Sequence, residues 1–328
     1  MKRVLFVVFA ALALISMSAC AAQDNKEEEP AIKKVTLVLD WTPNTNHTGL
    51  YVAQEKGYFA ENGLEVKIIQ PSESAVLQLV AAGTAQFGID FQESLTFARD
   101  KGMPVVSIGA VLQHNTSVFA SPTDRNILSP KDFEGKVYGG WGMDMETATL
   151  KYLMEKSGAD FSKLEIMTIG DTDFLTAAEM GTIDFAWIYE GWEGISAQLK
   201  GVELNKVRFE ETELFDYYTP IIVTSEDMIA NNSDTVAAFM DAVKKGYDFA
   251  VKSPKESADV LLKFAPELDA KLVYASQEYL SPRYIDDAES FGVQKKEVWD
   301  RYTAWLYEKG FIDTLVDSNS AFTNEFLQ

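Results

Sequence analysis

Histidine and cysteine are nearly missing from this chain: two histidines, His47 and His114, and one cysteine, Cys20, in 328 residues. A single cysteine excludes an intramolecular disulfide, and so few nitrogen and sulfur ligands exclude a histidine–cysteine metal cluster. Positive charge is also short, with 29 Lys and Arg against 50 Asp and Glu, a formal net charge of −21. Nucleic-acid affinity rests on cationic contacts to phosphate, so this balance argues against a nucleic-acid partner. The signatures G-x-S-x-G, S-x-x-K, H-E-x-x-H and the phosphate-loop G-K-[ST] are missing as well. Carboxylates are so common here that no pair of them points to a metal. The residues therefore call for no catalytic group, no metal and no cofactor.

What is present begins with an export pattern. Lys2 and Arg3 precede an apolar run over residues 4–17, broken only by Ser16. The run is short for a membrane span and suits the core of a signal peptide. Ile15-Ser-Met-Ser-Ala-Cys20 resembles a bacterial lipobox, with Met17 where Leu is more usual. That resemblance implies a lipoprotein signal peptide over residues 1–19, cleavage before Cys20 and acylation of its thiol. An ordinary secretory peptide with an incidental cysteine is the other reading. Residues 20–32, polar and acidic, are expected to form a tether at the extracytoplasmic face of the cell membrane.

From residue 35 short β-type runs alternate with helical ones, the pattern of an α/β fold. Strands are expected at 35–39, 64–69, 87–89, 105–111, 136–139, 164–168, 184–189 and 221–224. Amphipathic helices are expected at 233–251, 254–264, 271–279 and 295–309. Crossings near residues 120 and 220 divide the chain into two doubly wound lobes, 33–121 with 223–328 and 122–222. One large doubly wound domain with a helical tail is the alternative.

In open α/β sheets ligands gather beyond the carboxyl ends of strands. Those positions here are Asp40-Trp41, Asp90-Phe91, Gly140-Trp141 and Tyr189-Glu190. Aromatic faces stack on a flat ring and carboxylates accept from an exocyclic amine, so the set suits a nitrogen-rich heterocycle. Trp41 and Trp141 also read as lobe-packing aromatics, Asp40 as a cap for the turn at Pro43-Asn44, and Trp187 as core. Glu190 is exposed, paired internally or a ligand group, and the last reading is preferred because an unpaired buried carboxylate is costly. Tyr217-Tyr218 serves either hinge packing or the ligand. The Gly139–Gly142 turn before a helix could cradle an anion. Asp144 and Glu146 place negative charge there already, which favours a closely approached neutral ring.

Residues 39–53 (LDWTPNTNHTGLYVA), followed by Glu55-Lys-Gly-Tyr-Phe59 and Asn62-Gly-Leu64, resemble the solute-binding proteins of ABC importers for thiamine pyrimidine precursors. The fungal thiamine-pyrimidine synthases share much of the pattern. The resemblance covers nearly all of residues 33–328 and implies a type II periplasmic-binding-protein fold with the ligand clamped between lobes. It implies ligand contacts from Asp40, Trp41 and Asn44, and a pyrimidine-pairing role for Glu190. It also matches Gly139–Gly142 to a glycine loop that holds phosphate in the fungal enzymes. Ser94 stands where those enzymes carry a reactive histidine, and Tyr217-Tyr-Thr-Pro-Ile replaces their cysteine-rich run, so binding rather than synthesis is expected. The full site expected is Asp40, Trp41, Asn44, Asp90, Gly140, Trp141, Glu190 and Tyr218. The ligand is hydroxymethylpyrimidine or formylaminopyrimidine, ahead of thiamine or riboflavin, and the partners are a permease and its ATPase, with a monomeric receptor. Sulfonate- or nitrate-type anions fit worst, since no Lys or Arg stands at an expected strand end.

Overall fold

Two five-stranded sheets carry the α/β alternation. The computed structural model describes residues 32–71, 75–170 and 172–327, so the expected signal peptide, Cys20 and nearly all of the tether lie outside the described residues. Five strands make the first sheet: β1 (Lys33–Val38), β2 (Leu64–Ile69), β3 (Phe87–Asp90), β4 (Val105–Ala110) and β10 (Ile221–Ser225). They lie in the order β2-β1-β3-β10-β4. β5 (Ser117–Pro122), β6 (Val137–Gly140), β7 (Glu165–Thr168), β8 (Phe185–Tyr189) and β9 (Leu204–Arg208) make the second, in the order β7-β6-β8-β5-β9.

The two sheets share one plan. In each, the fourth strand runs against its neighbours: β10 pairs antiparallel with β3 and β4, and β5 with β8 and β9. Each reversed strand comes straight from a crossing, residues 111–116 before β5 and 209–220 before β10. β3, β4 and β10 are buried throughout and read as near-continuous apolar runs, as strands covered on both faces do.

Six helices matter for the site and its support: α1 (Thr48–Glu55), α2 (Gln92–Asp100), α3 (Asp144–Lys156), α4 (Ser233–Lys252), α5 (Ala270–Leu280) and α6 (Lys296–Glu308). The expected division of the chain differs from the observed pairing in two places. Residues 117–121, expected in the first lobe, form β5 at the heart of the second sheet. α6, also expected in the first lobe, packs Trp305 edge-on against Tyr152 of α3 at 5.5 Å and against Phe215 at 5.3 Å. One apolar cluster accordingly runs from Val38 and Val76 through Tyr217 to Phe119 and Trp187.

Candidate functional site

The loop after β1 is stiffened from within. His47 Nδ1 accepts from the Asn44 amide at 3.2 Å, which leaves Nε2–H to donate to Asp40 Oδ1 at 2.6 Å. Asn44 caps the following turn by accepting from the Asn46 amide at 2.9 Å, and its Nδ2 donates to the Thr42 carbonyl. Both polar ends of Asn44 are thus spent on its own loop, and it is 6 % exposed. Trp41 on the same loop remains 41 % exposed.

At the end of β3 the chain buries two acids within four residues. Asp90 accepts from the Phe91 amide at 2.8 Å, yet burial, with Asp40 nearby, pushes its carboxyl up to about 7. Glu93, in the first turn of α2, is pushed up to about 8 by burial reinforced by Asp90. Gln92 between them clamps the second crossing: its amide donates to the Tyr218 carbonyl and its Oε1 accepts from the Tyr218 amide at 2.9 Å. That clamp sets Tyr217 against Glu93. Neighbours in extended chain point opposite ways, so Tyr218, also buried, faces away from Glu93 and its hydroxyl accepts from the Lys295 amide at 2.8 Å. The hinge tyrosine facing the acids is Tyr217, not the expected Tyr218.

The second lobe meets this cluster through Tyr189, the last residue of β8. Its phenol is raised well above the ordinary range, first by burial and then by Glu93 and Asp40 of the first lobe and Glu193 of its own. Trp141 lies near-parallel to Tyr189, with ring centroids 6.3 Å apart at 24°, and 6.0 Å from Trp187. The strand ends of β1, β3, β6 and β8 are therefore gathered around Tyr189. Tyr217 stands beside Glu93 and Thr219 beside Tyr189, close enough to offset part of the effect of burial on each.

Glu190 is placed differently from its expected role. Burial would raise its carboxyl. The hydrogen bond from Lys206 Nζ at 2.5 Å, with the charges of Lys206 and Arg208, outweighs burial and holds it below the ordinary range. Arg208 Nε lies 3.2 Å away. Two cations thus stand beside a strand end that was expected to have none, because β9 was not anticipated. Residues 190–194 form a one-turn π-helix, a feature common at functional sites. It turns Glu190 toward β9 and brings Glu193 back over the strand end, where Oε2 accepts from the Tyr189 amide at 3.1 Å. Glu193 is half-buried, and burial pushes its carboxyl up to about 7. Ser276 of α5 ties this turn to the Asp40 loop, donating to the Gly191 carbonyl and meeting Thr45 Oγ1 at 2.5 Å.

The glycine turn also departs from expectation. Glu146 accepts from the amides of Trp141, Gly142 and Met143 at 3.1, 2.8 and 2.8 Å. A Cβ on Gly140 would lie 2.4 Å from Glu146 Oε1, and Gly142 has φ +87°. Gly140 makes room for an internal carboxylate, and Gly142 supplies the left-handed turn that presents its amide to it. Tyr189, Tyr217 and Glu146 were named in the sequence reading but left out of its expected site, and Glu93 and Glu193 were not named at all. For Glu193 a signal existed, the second acid in Glu190-Gly-Trp-Glu193 at the end of an apolar strand.

A separate open groove of about 760 Å³ runs along the edge strand β2, lined by Tyr51, Lys67, Ile69, Phe264 and Glu267 among others. It contains none of the strand-end aromatics. Among the described residues no group of three or more His, Cys, Asp or Glu is arranged to hold a metal ion.

Comparison with known proteins places this geometry. The chain is 28% identical over 95% of its length to the formylaminopyrimidine-binding protein of Halalkalibacterium halodurans, covering 96% of that protein. It is 28% identical over 91% of its length to the riboflavin-binding protein RibY of Chloroflexus aurantiacus, covering 87% of it. The 4-amino-5-hydroxymethyl-2-methylpyrimidine phosphate synthase THI13 of Saccharomyces cerevisiae is 24% identical over 90% of the chain and is covered over 88%. In fold it matches the periplasmic aliphatic sulphonate binding protein SsuA of Escherichia coli with a TM-score of 0.70 at 14% identity, over 92% of this chain and 100% of that one. The two-lobe α/β fold is that of periplasmic binding proteins. The profile described as "NMT1/THI5 like" matches residues 44–257, and the chain belongs to that family.

Proposed function

We propose that this protein is the substrate-binding receptor of an ABC importer and captures an aminopyrimidine, hydroxymethylpyrimidine or formylaminopyrimidine, between its two lobes. The lipobox-like segment ending at Cys20 supports a lipid anchor on the extracytoplasmic face, from which a monomeric receptor would deliver its ligand to the permease. The observation that carries the ligand class is the cleft's set of carboxyls held near neutrality beside aromatic faces. An aminopyrimidine edge presents a donor, the exocyclic amine, next to an acceptor, the ring nitrogen. A protonated carboxyl presents an acceptor next to a donor in the matching order. Among these acids Glu193 is half-buried, whereas Glu93 is 2 % exposed and Asp90 8 %. Glu193 is the pairing group in this reading, Trp41, Trp141 and Tyr189 supply ring faces, and Asp40 with Asp90 completes the polar wall. Glu190, neutralised by Lys206 and Arg208, shapes the rim. No group in the cleft is assigned to catalysis, and Ser94, beside Asp90, offers no nucleophile comparable to a histidine.

Calorimetric titration with both pyrimidines tests the assignment. Glu193→Ala should weaken binding about 10- to 100-fold, the cost of one hydrogen-bonded pairing to a chargeable group. Glu193→Gln, which keeps a donor and an acceptor, should retain most affinity. In the native protein affinity should fall above pH 7 as Glu193 loses its proton, and Glu193→Gln should reduce that fall, leaving the part due to Asp90. Glu190→Gln should change affinity less than threefold. Loss of binding in Glu190→Gln with none in Glu193→Ala would reverse the two roles.

A further inference from the structure

Between Glu190 and Glu193 the π-helical turn of the second lobe carries Gly191 and Trp192, and both pack on the first lobe. A Cβ on Gly191 would lie 2.8 Å from Leu280 Cδ2 and 3.0 Å from its Cγ, so backbone meets side chain there with no room for a methyl group. Leu280, the last residue of α5, is 2 % exposed and belongs to the first lobe's apolar cluster with Val273 and Tyr284. Trp192, half-buried, packs against that same cluster. A chain of hydrogen bonds reinforces the contact. The Tyr284 hydroxyl donates to the Thr45 carbonyl at 2.6 Å. Ser276 is wholly buried and gives its one hydroxyl proton to the Gly191 carbonyl, which leaves the Thr45 hydroxyl as the donor to Ser276 at 2.5 Å.

Both walls of the cleft branch from these residues. Thr45 follows Asn44 in the loop that carries Asp40 and Trp41, and Glu193 follows Trp192. We propose that Ser276 is a positioning residue: with Leu280 it grips the Gly191-Trp192 turn as a latch between the lobes and fixes the spacing between Glu193 and the Asp40 loop. The inference rests on Glu193 as the pairing group and adds what holds it in reach of the ligand. No charge takes part in the latch. When the lobes part, water replaces the partners of one hydroxyl and one carbonyl, so the polar contact is a modest bias rather than a permanent bond. Burial of the indole and of the Leu280 side chain adds to that bias. A ligand that binds only the closed arrangement gains affinity in proportion to how far the latch populates it.

Calorimetry with hydroxymethylpyrimidine and formylaminopyrimidine, together with small-angle scattering, tests this. Ser276→Ala removes the hydroxyl that joins Thr45 to Gly191 and should weaken binding about 3- to 10-fold. Trp192→Ala should weaken it at least as much. Because Ser276 acts through Glu193, Glu193→Ala should cost about threefold less affinity in the Ser276→Ala background than in the native protein. A residue needed only for folding would leave the two costs independent. Without ligand, both single variants should show a larger radius of gyration than the native protein as the closed population falls. Ser276→Ala decides the matter should Trp192→Ala fail to fold. Native affinity in folded Ser276→Ala, or costs that simply add with Glu193→Ala, would overturn the proposal. So would an unliganded radius that neither variant moves. If neither pyrimidine binds, the ligand reading fails, and the scattering still decides whether Gly191 and Trp192 latch the lobes.

Discussion

At the scale of single residues, three acids near the strand ends are raised toward neutrality, while Glu190 stays charged beside Lys206 and Arg208. Asp90 at about 7, Glu93 at about 8 and Glu193 at about 7 all owe their shift first to burial. An acid whose folded value lies above its unfolded value binds its proton more tightly when folded. Its contribution to stability is complete below the unfolded value near 4 and is lost as pH rises through 7 and 8. The unliganded protein should therefore melt at a lower temperature at pH 8.5 than at pH 5.5, and Glu93→Gln should flatten that slope by removing one titrating group. Melting temperatures of both proteins across this range check the prediction; a native Tm that rises toward pH 8.5 would contradict it. The strand-end positions of Asp40, Asp90 and Trp141 were legible in the sequence because the end of a strand is a place the chain pattern reveals. The return of Glu193 over the end of β8 was not, because a one-turn π-helix inserts between strand and helix and redirects the acids three residues apart. Glu190, the first acid after the strand, is consumed by β9.

At the scale of elements, the turn from β6 into α3 is a seat shaped around the Glu146 carboxylate. Gly142→Ala should cost about 1–3 kcal/mol, since an L side chain at φ +87° is strained and its Cβ would also meet Thr168 at 3.0 Å. Gly140→Ala should cost a similar amount by pressing on Glu146 and should disturb the amides of residues 141–143 as well. Urea unfolding reads the first effect, and amide chemical shifts read the second. Either alanine variant at native stability would mean the carboxylate is held less firmly than its three amide donors indicate. The elements most visible in the sequence were those with an apolar run or a strong helical period, such as β4 and α4. β5 and β9 were hidden for opposite reasons. β5 ends in proline at Ser121-Pro122 and reads as a break, and β9, Leu-Asn-Lys-Val-Arg, is half-buried along its whole length and carries no apolar run. Missing β9 is what concealed the cations beside Glu190.

At the scale of the whole molecule, two sheets of the same plan face each other across crossings that each end in a reversed fourth strand. The division into lobes was legible in outline from the repeated alternation, while its exact place was not. β5 is claimed by the second sheet through pairing with two strands distant in sequence, and α6 bridges to the second lobe through Trp305, contacts that no local pattern encodes. Tyr189 of one lobe and Glu93 and Asp40 of the other act on one another, so the ligand proposed for that place would touch both lobes. Only a ligand that binds the closed arrangement better than the open one shifts that equilibrium.

The central claim is that the cleft takes an uncharged aminopyrimidine and not an anion. Isothermal titration of the protein at pH 6.5 with hydroxymethylpyrimidine, formylaminopyrimidine, thiamine, riboflavin and an alkanesulfonate tests it most directly. One of the two aminopyrimidines should bind one to one at a Kd of about 1 μM or tighter, roughly −8 kcal/mol, with the sulfonate silent. Binding of the sulfonate with no heat from either pyrimidine would contradict the account.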